Sequence, residues 1–317
     1  MMANCNHLFQ DYHNEISIGS AKKTKMKDSK AGLRKRIKKW FKDNQPEYTP
    51  HFYIQGSYKM KIAIRTADDI CDLDDGIYFF RKPDVTASTL KEWVRQAVDG
   101  YTATAPENRK KCVRSIFVND YEIDHPIYYK IDGQEYRIAV RDKGWEDSDP
   151  KAVVDWFVSN KDKDGRLVRI IKDLKGWADN QNFKMPSGLA LTILATNAKN
   201  KIVLNERDDI SIKDILKEIQ KALDIKFSCV VPATPFDDLF EGYDPTRKEK
   251  FLNVLNRFIE DADEALKVSN QKAASKLWRK HLGDRFSLGE DKEENTSANS
   301  VLIAGAATSK PWANVNK

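Results

Sequence analysis

Residues 55–76 read QGSYKMKIAIRTADDICDLDDG. Gln55 closes a short strand-like run, HFYIQ, and Gly56-Ser57 turns the chain directly after it. Residues 70–80, ICDLDDGIYFF, form a second strand-like run, rich in β-branched and aromatic residues. Alternation along that strand puts Asp72 and Asp74 on one face and Cys71, Leu73 and Asp75 on the other. Two carboxylates side by side repel, so the pattern calls for a cation between them. Hard oxygen ligands select Mg²⁺ or Mn²⁺, and Mg²⁺ is commonly shared between carboxylates and substrate phosphates. Gly56 permits close backbone approach, and Ser57 with the N–H groups of the turn can hold a triphosphate.

Upstream, Leu33, Ile37, Trp40 and Phe41 recur at helical spacing within residues 27–44. Arg34, Lys35, Arg36, Lys38 and Lys39 fall mostly on the other face, and Pro46 and Pro50 end the helix. Downstream, TLKEWVRQAV (89–98) reads as a helix with Ser88 as its N-cap. CVRSIFVN from Cys112 and YEIDHPIYYKI from Tyr121 read as strands. Asp132-Gly133 is a hairpin turn returning into EYRIAV from Glu135. The first half thus predicts helices with an antiparallel-looking sheet. After Asp149-Pro150 the pattern is helical, over residues 151–159, 167–180, 187–197, 212–223, 246–268 and 272–282. From Ser287 periodicity is lost, and a polar, then small-residue-rich, stretch predicts a flexible tail over 288–317. The expected division is 1–149, 150–287 and 288–317, in an α/β (α+β) fold.

Two metal ions need a third carboxylate. Asp124 lies mid-strand between Ile123 and Ile127, where an unpaired charge would cost several kcal/mol, on the order of a broken buried ion pair. Each feature has an ordinary explanation. Gly-Ser is a turn in most proteins, Asp-x-Asp is often a solvated strand edge, and Asp124 could pair with one of many lysines. The order Gly-Ser, Asp-x-Asp, strand Asp is what gives the set its weight.

That order resembles the nucleotidyltransferases of the DNA polymerase β type. GSYKMKIAIR, DLDDGIYF, IDHPIYY, SDPKAVVDWF, LKGW, MPSGLALTILA and WRKHLGDRF narrow the resemblance to the bacterial CD-NTases of CBASS anti-phage systems, over roughly residues 30 to 287. These are related to the cholera dinucleotide cyclase and, more distantly, to animal cGAS. The resemblance implies a nucleotidyltransferase lobe with a mixed sheet, a helical C-terminal lobe, and an active site in the cleft between them. It implies that Asp72 and Asp74 bind both Mg²⁺ ions, with Mn²⁺ able to substitute. Asp124 would bind the catalytic metal and help activate a ribose hydroxyl. Gln55, Gly56 and Ser57 would hold donor phosphates. Lys175, in Lys-x-Trp with Trp177, and Ser187, in Pro-Ser-Gly, would contact the same triphosphate. His125 departs from the family pattern, which more often has an apolar residue after the third Asp. Tyr58 and Tyr78 are both open as base-stacking aromatics.

The implied product is a cyclic di- or trinucleotide made from ATP and a second NTP, GTP or another, acting on a CBASS effector. A ubiquitin-transfer-like partner at residues 306–317 is a further expectation. The alternatives are a transferase making linear oligonucleotides and a non-catalytic nucleotide- or nucleic-acid-binding module.

The whole chain is consistent with this. Its 317 residues, 40% hydrophobic and 32% charged, can bury a real core. No run of 18 or more apolar residues spans a membrane, and MMANCNHLFQDYHNE lacks the pattern of a signal peptide. Four well-separated cysteines without a CxxC pair argue against a zinc ribbon or disulfide framework and fit a reducing cytoplasm. A net charge of +6 is compatible with a polyanionic ligand without requiring one. The basic run AKKTKMKDSKAGLRKRIKK is read as a solvated helix face in preference to a nucleic-acid site. Arg169 and Lys172 are likewise expected as solvated charges.

Overall fold

The structure, a computed structural model, describes residues 2–293. Its sheet is organised around β2 (Asp72–Phe79). One edge of β2 takes β1 (His51–Gln55) antiparallel, with Gln55 opposite Asp74. The other edge takes β5 (Tyr121–His125) and then β6 (Ile127–Tyr129), both parallel. Pro126 interrupts that second strand because it lacks an N–H for the ladder. Its carbonyl still accepts from Ile77 N–H at 2.8 Å, so the register runs on unbroken from Asp74 opposite Asp124 to Tyr78 opposite Tyr128. β3 (Glu107–Asn108) and β4 (Val113–Phe117) extend the sheet beyond β5. β7 (Arg137–Val140) and β8 (Gly144–Asp147) extend it beyond β6, with β7 returning antiparallel after the expected Asp132-Gly133 turn. The sheet is therefore mixed, and the antiparallel impression given by the sequence is corrected at β2.

One sheet face is covered by α2 (Ser20–Asn44) and α4 (Ala87–Val98). Met26, Leu33, Ile37 and Phe41 of α2 pack there on Leu73, Ile77 and Phe79. Asp75, on the same side, is fully buried and held by Arg34 of α2, Nε to Oδ2 at 2.8 Å. Asp72, Asp74, Gly76 and Tyr78 alternate to the opposite face. α2 begins before the expected residue 27, and Thr86 rather than Ser88 caps α4, accepting from Thr89 N–H at 3.1 Å.

The helical layer comprises α5 (Pro150–Asn160), α6 (Arg166–Asp179), α7 (Gly188–Lys199), α8 (Asp208–Ile225), α9 (Pro245–Ala265) and α10 (Gln271–Leu282). It also holds α1 (Asn6–Glu15), which the sequence reading did not anticipate. Leu8, Phe9, Tyr12 and Ile16 are buried among Trp177, Trp278 and Phe286, so the first helix packs with the helical layer and not with the sheet that follows it. Arg207 donates to Ala3 O at 2.7 Å and Tyr12 OH to Leu282 O at 3.2 Å, tying the chain start across the layer. Order continues beyond residue 287: Gly289 N–H donates to Ser275 Oγ and Glu290 N–H to Gln271 Oε1. The rest of the expected tail, 294–317, lies outside the described residues. Arg169 and Lys172 are not solvated: Arg169 forks the buried Asp208 at 2.6 and 2.8 Å, and Lys172 is buried against Ser17.

Candidate active site

A cleft of about 470 Å³ opens between the uncovered sheet face and the helical layer, within the usual range for a small-molecule site. Gln55, Gly56, Ser57, Asp72, Asp74, Asp124 and Lys175 all line it. Residues far apart in sequence are brought together by β2, β5 and α6. Ser187 is not among the lining residues: it is the N-cap of α7, its hydroxyl accepting from Ala190 N–H at 3.2 Å, and its neighbour Gly188 lines the cleft.

Gly56 has φ +62°, and a Cβ there would sit 2.0 Å from Asp74 Oδ2. Only glycine lets the turn α3 (Gly56–Lys59) press against that carboxylate. Gly188 does the same for Lys175: a Cβ would fall 2.9 Å from Lys175 Cε. Lys175 Nζ donates to Ile62 O at 3.0 Å, just past the turn. Desolvation pushes its pKa down to about 8, against the pull of Asp74 and Asp72.

The carboxylates carry the opposite strain. Desolvation raises Asp74 to about 7, with Asp124 and Asp72 adding to it. Asp72, more open at the cleft floor, is raised to about 6 by desolvation, then by Asp124 and Glu122, with Arg114 pulling the other way. Such carboxyls await a cation.

Asp124 is not unpaired. Register sets Arg114 of β4 opposite it, and Arg114 donates from Nε to Oδ1 at 2.7 Å and from Nη2 to Oδ2 at 2.9 Å. The same guanidinium reaches Glu122, and Asp72 at 4.0 Å. A cation pair at Asp124 is one of the two readings of the sequence, and the partner is Arg114 and not a lysine. As they stand, no three acidic, histidine or cysteine side chains among the described residues are arranged to hold a metal ion. The donor chemistry still fits a hard divalent cation: Asp72 and Asp74 present carboxylate oxygens on one face of β2, and desolvation with the neighbouring carboxylates pushes both toward neutrality.

Three other expectations resolve differently. His125, which the sequence puts next to the metal site, alternates to the covered face, is fully buried with Nδ1 3.2 Å from Asp75 O, and does not line the cleft. Tyr58 and Tyr78 do not line the cleft. Gln55 lines it, but both ends of its carboxamide are already bonded to tyrosines. The sequence reading missed Arg114, Lys111, Ser148, Asp149, Thr192 and Asp237 around this cleft. Arg114 alone left a signal, a strand arginine ten residues before Asp124.

Residues 50–128 match the family model for the nucleotidyltransferase domain of cyclic GMP-AMP synthase DncV-like proteins. The cyclic GMP-AMP synthase of Escherichia albertii is 31% identical over 231 residues, 67% of this chain and 49% of that protein. That of Vibrio cholerae serotype O1 is 25% identical over 190 residues, 57% of this chain and 43% of its own. The chain thus spans about half the length of the curated relatives it matches. The V. cholerae DncV cyclic AMP-GMP synthase, solved with the linear intermediate 5′ pppA(3′,5′)pG, superposes with TM-score 0.79 over 92% of this chain and 100% of that one, at 18% identity. Escherichia coli DncV bound to 3′-deoxy GTP superposes with TM-score 0.75 over 86% and 93%, at 17% identity. At such identities the superpositions establish a common fold. The sequence matches thus give residues 50–128 as a DncV-like nucleotidyltransferase domain, and the superpositions show that the chain has the DncV fold.

Proposed function

We propose that this chain is a divalent-metal-dependent nucleotidyltransferase that joins ATP and a second NTP, GTP or another, into a cyclic di- or trinucleotide. The observation that carries this is the convergence, in one cleft, of Asp72, Asp74 and Asp124 with the Gly56-Ser57 turn and Lys175. Sequence relatives named as cyclic GMP-AMP synthases support it.

Asp72 and Asp74 would hold Mg²⁺, or Mn²⁺ in its place, with Asp124 as third ligand. The bound cation would supply charge neutralisation at the transferring phosphoryl group. Ser57 holds phosphate oxygens from the turn, Lys175 offsets the triphosphate charge, and the N-terminus of α7 at Ser187 presents N–H groups toward the anion. Asp124 orients a ribose hydroxyl of the acceptor and takes its proton. The hydroxyl oxygen bonds to the α-phosphorus of the donor, the α–β bridge breaks, and pyrophosphate leaves. The same step on the reoriented linear intermediate, second for a dinucleotide and third for a trinucleotide, closes the ring and releases a further pyrophosphate. The product would act as a messenger for an effector in CBASS-type anti-phage signalling, in the cytoplasm. A ubiquitin-transfer-like partner at 306–317 belongs to the same reading, and that segment lies outside the described residues. No helix among the described residues is long and apolar enough to cross a membrane.

The test is incubation with labelled NTPs, singly and together, with Mg²⁺ or Mn²⁺, then phosphatase and mass identification. A phosphatase-resistant product of two or three nucleotides supports the proposal. Linear product alone would replace it with an oligonucleotide transferase, and NTP binding without turnover with a binding module.

A further inference from the structure

The uncovered face of β2 carries, beyond Asp72 and Asp74, a second group that the reaction as described does not use. Tyr78 OH donates to Gln55 Oε1 at 2.6 Å, and Gln55 Nε2 donates to Tyr128 OH at 2.9 Å. The three side chains are 4%, 8% and 2% exposed. The tyrosine rings stack at 4.7 Å with an interplanar angle of 11°, and Tyr53 and Tyr136 pack edge-on against Tyr78. Gly76 makes the arrangement possible: a Cβ there would lie 2.6 Å from Gln55 Oε1 and 2.7 Å from Tyr78 Cε2.

Each phenol can donate or accept, and here Tyr78 donates to the carboxamide oxygen of Gln55 while Tyr128 accepts from its nitrogen, so both ends of the carboxamide are satisfied. Burial pushes both phenols well above their ordinary pKa, so both keep their protons. Gln55 is the last residue before the Gly56-Ser57 turn. Tyr78 lies four residues along β2 from Asp74, and Tyr128 four residues beyond Asp124 on the same face. The network therefore links the entry of the turn to both strands that bear the acidic residues.

We propose that Tyr78, Gln55 and Tyr128 are positioning residues, a clamp that fixes the Gly56–Lys59 turn against the carboxylate strands and so sets the affinity of the cleft for an NTP triphosphate. This rests on the nucleotide reading given above. It also changes the role of Gln55, whose side chain acts on the turn and not on phosphate.

The experiment combines Tyr78→Phe, Tyr128→Phe, Gln55→Leu and the two Tyr/Gln double variants. Affinity for nonhydrolysable ATP and GTP analogues is read by calorimetry with Mg²⁺, and hydrogen exchange of the 56–60 amides without nucleotide. Each tyrosine variant is expected to lose affinity by up to about 30-fold, the ceiling reached when the whole cost of the unpaired carboxamide end falls on the turn geometry that binds nucleotide. In the Gln55→Leu background the same tyrosine changes should have no further effect, because the partner is gone. The turn amides should exchange faster in both single tyrosine variants, and Tyr53→Phe, outside the network, should match the unmutated protein. Tyrosine losses that persist in full beside Gln55→Leu would overturn the clamp, as would turn amides that exchange no faster. Should Gln55→Leu fail to fold, Gln55→Met provides the same background. Failure of the unmutated protein to bind either analogue would tell against the nucleotide reading, and the exchange rates would still decide the clamp.

Discussion

Replacing Asp74 by asparagine should stabilise the metal-free protein while removing its activity. Asn keeps the shape and removes the charge. Asp74 shifts from 3.8 to about 7 on folding, chiefly through desolvation. A raised carboxyl pKa means that the native state binds more protons than the unfolded chain at intermediate pH. The contribution of Asp74 is thus fully present below its unfolded pKa and is lost as pH rises through about 7. At about 1.4 kcal/mol per pH unit, the loss integrates to about 2 kcal/mol at pH 5 and about 4 kcal/mol at pH 8. These are ceilings, since Asp72 relaxes when its neighbour is neutral. The variant escapes the loss, so its advantage over the unmutated protein should grow by about 2 kcal/mol between pH 5 and pH 8. Urea unfolding at the two pH values, without divalent metal, measures this directly. Added Mg²⁺ should stabilise the unmutated protein at pH 8 more than the variant. A variant no more stable than the unmutated protein at pH 8, or an advantage equal at both pH values, would refute the reasoning.

Arg114→Gln removes the cation that forks Asp124 and reaches Glu122, leaving two carboxylates facing each other. It should destabilise the protein by about 3 kcal/mol at pH 8 in a thermal melt, with millimolar Mg²⁺ restoring part of that. Lys175→Met should weaken NTP binding by more than tenfold with little change in melting temperature. In the unmutated protein calorimetric NTP affinity should fall as pH rises past about 8, where the desolvated amine loses its proton. Gly56→Ala, at φ +62° and against Asp74 Oδ2, should lose about 2 kcal/mol of stability in urea unfolding and all NTP turnover.

The site was legible in the sequence where local alternation decides geometry. DLDDGIYF assigns Asp72 and Asp74 to one face by period alone, and the buried Leu73 and Asp75 follow from the same rule. What depends on strand pairing was not legible. Parallel pairing of β2 with β5 joins residues about 50 positions apart, and the Arg114–Asp124 fork depends on the register across the turn at residues 118–120. The helix α1 was missed because the burial of Leu8, Phe9 and Tyr12 depends on partners more than 160 residues away, such as Trp177, Trp278 and Phe286. Gln55 shows the limit of motif transfer: its place beside the turn was expected, but the tyrosines that engage its side chain come from two other strands.

The most direct test of the account is pyrophosphate release from mixed ATP and GTP, with and without Mg²⁺, by the unmutated protein and by Asp124→Asn. The account predicts release by the unmutated protein only when a divalent metal is present, and background release by the variant. Release that is independent of metal, or unchanged by Asp124→Asn, would contradict it.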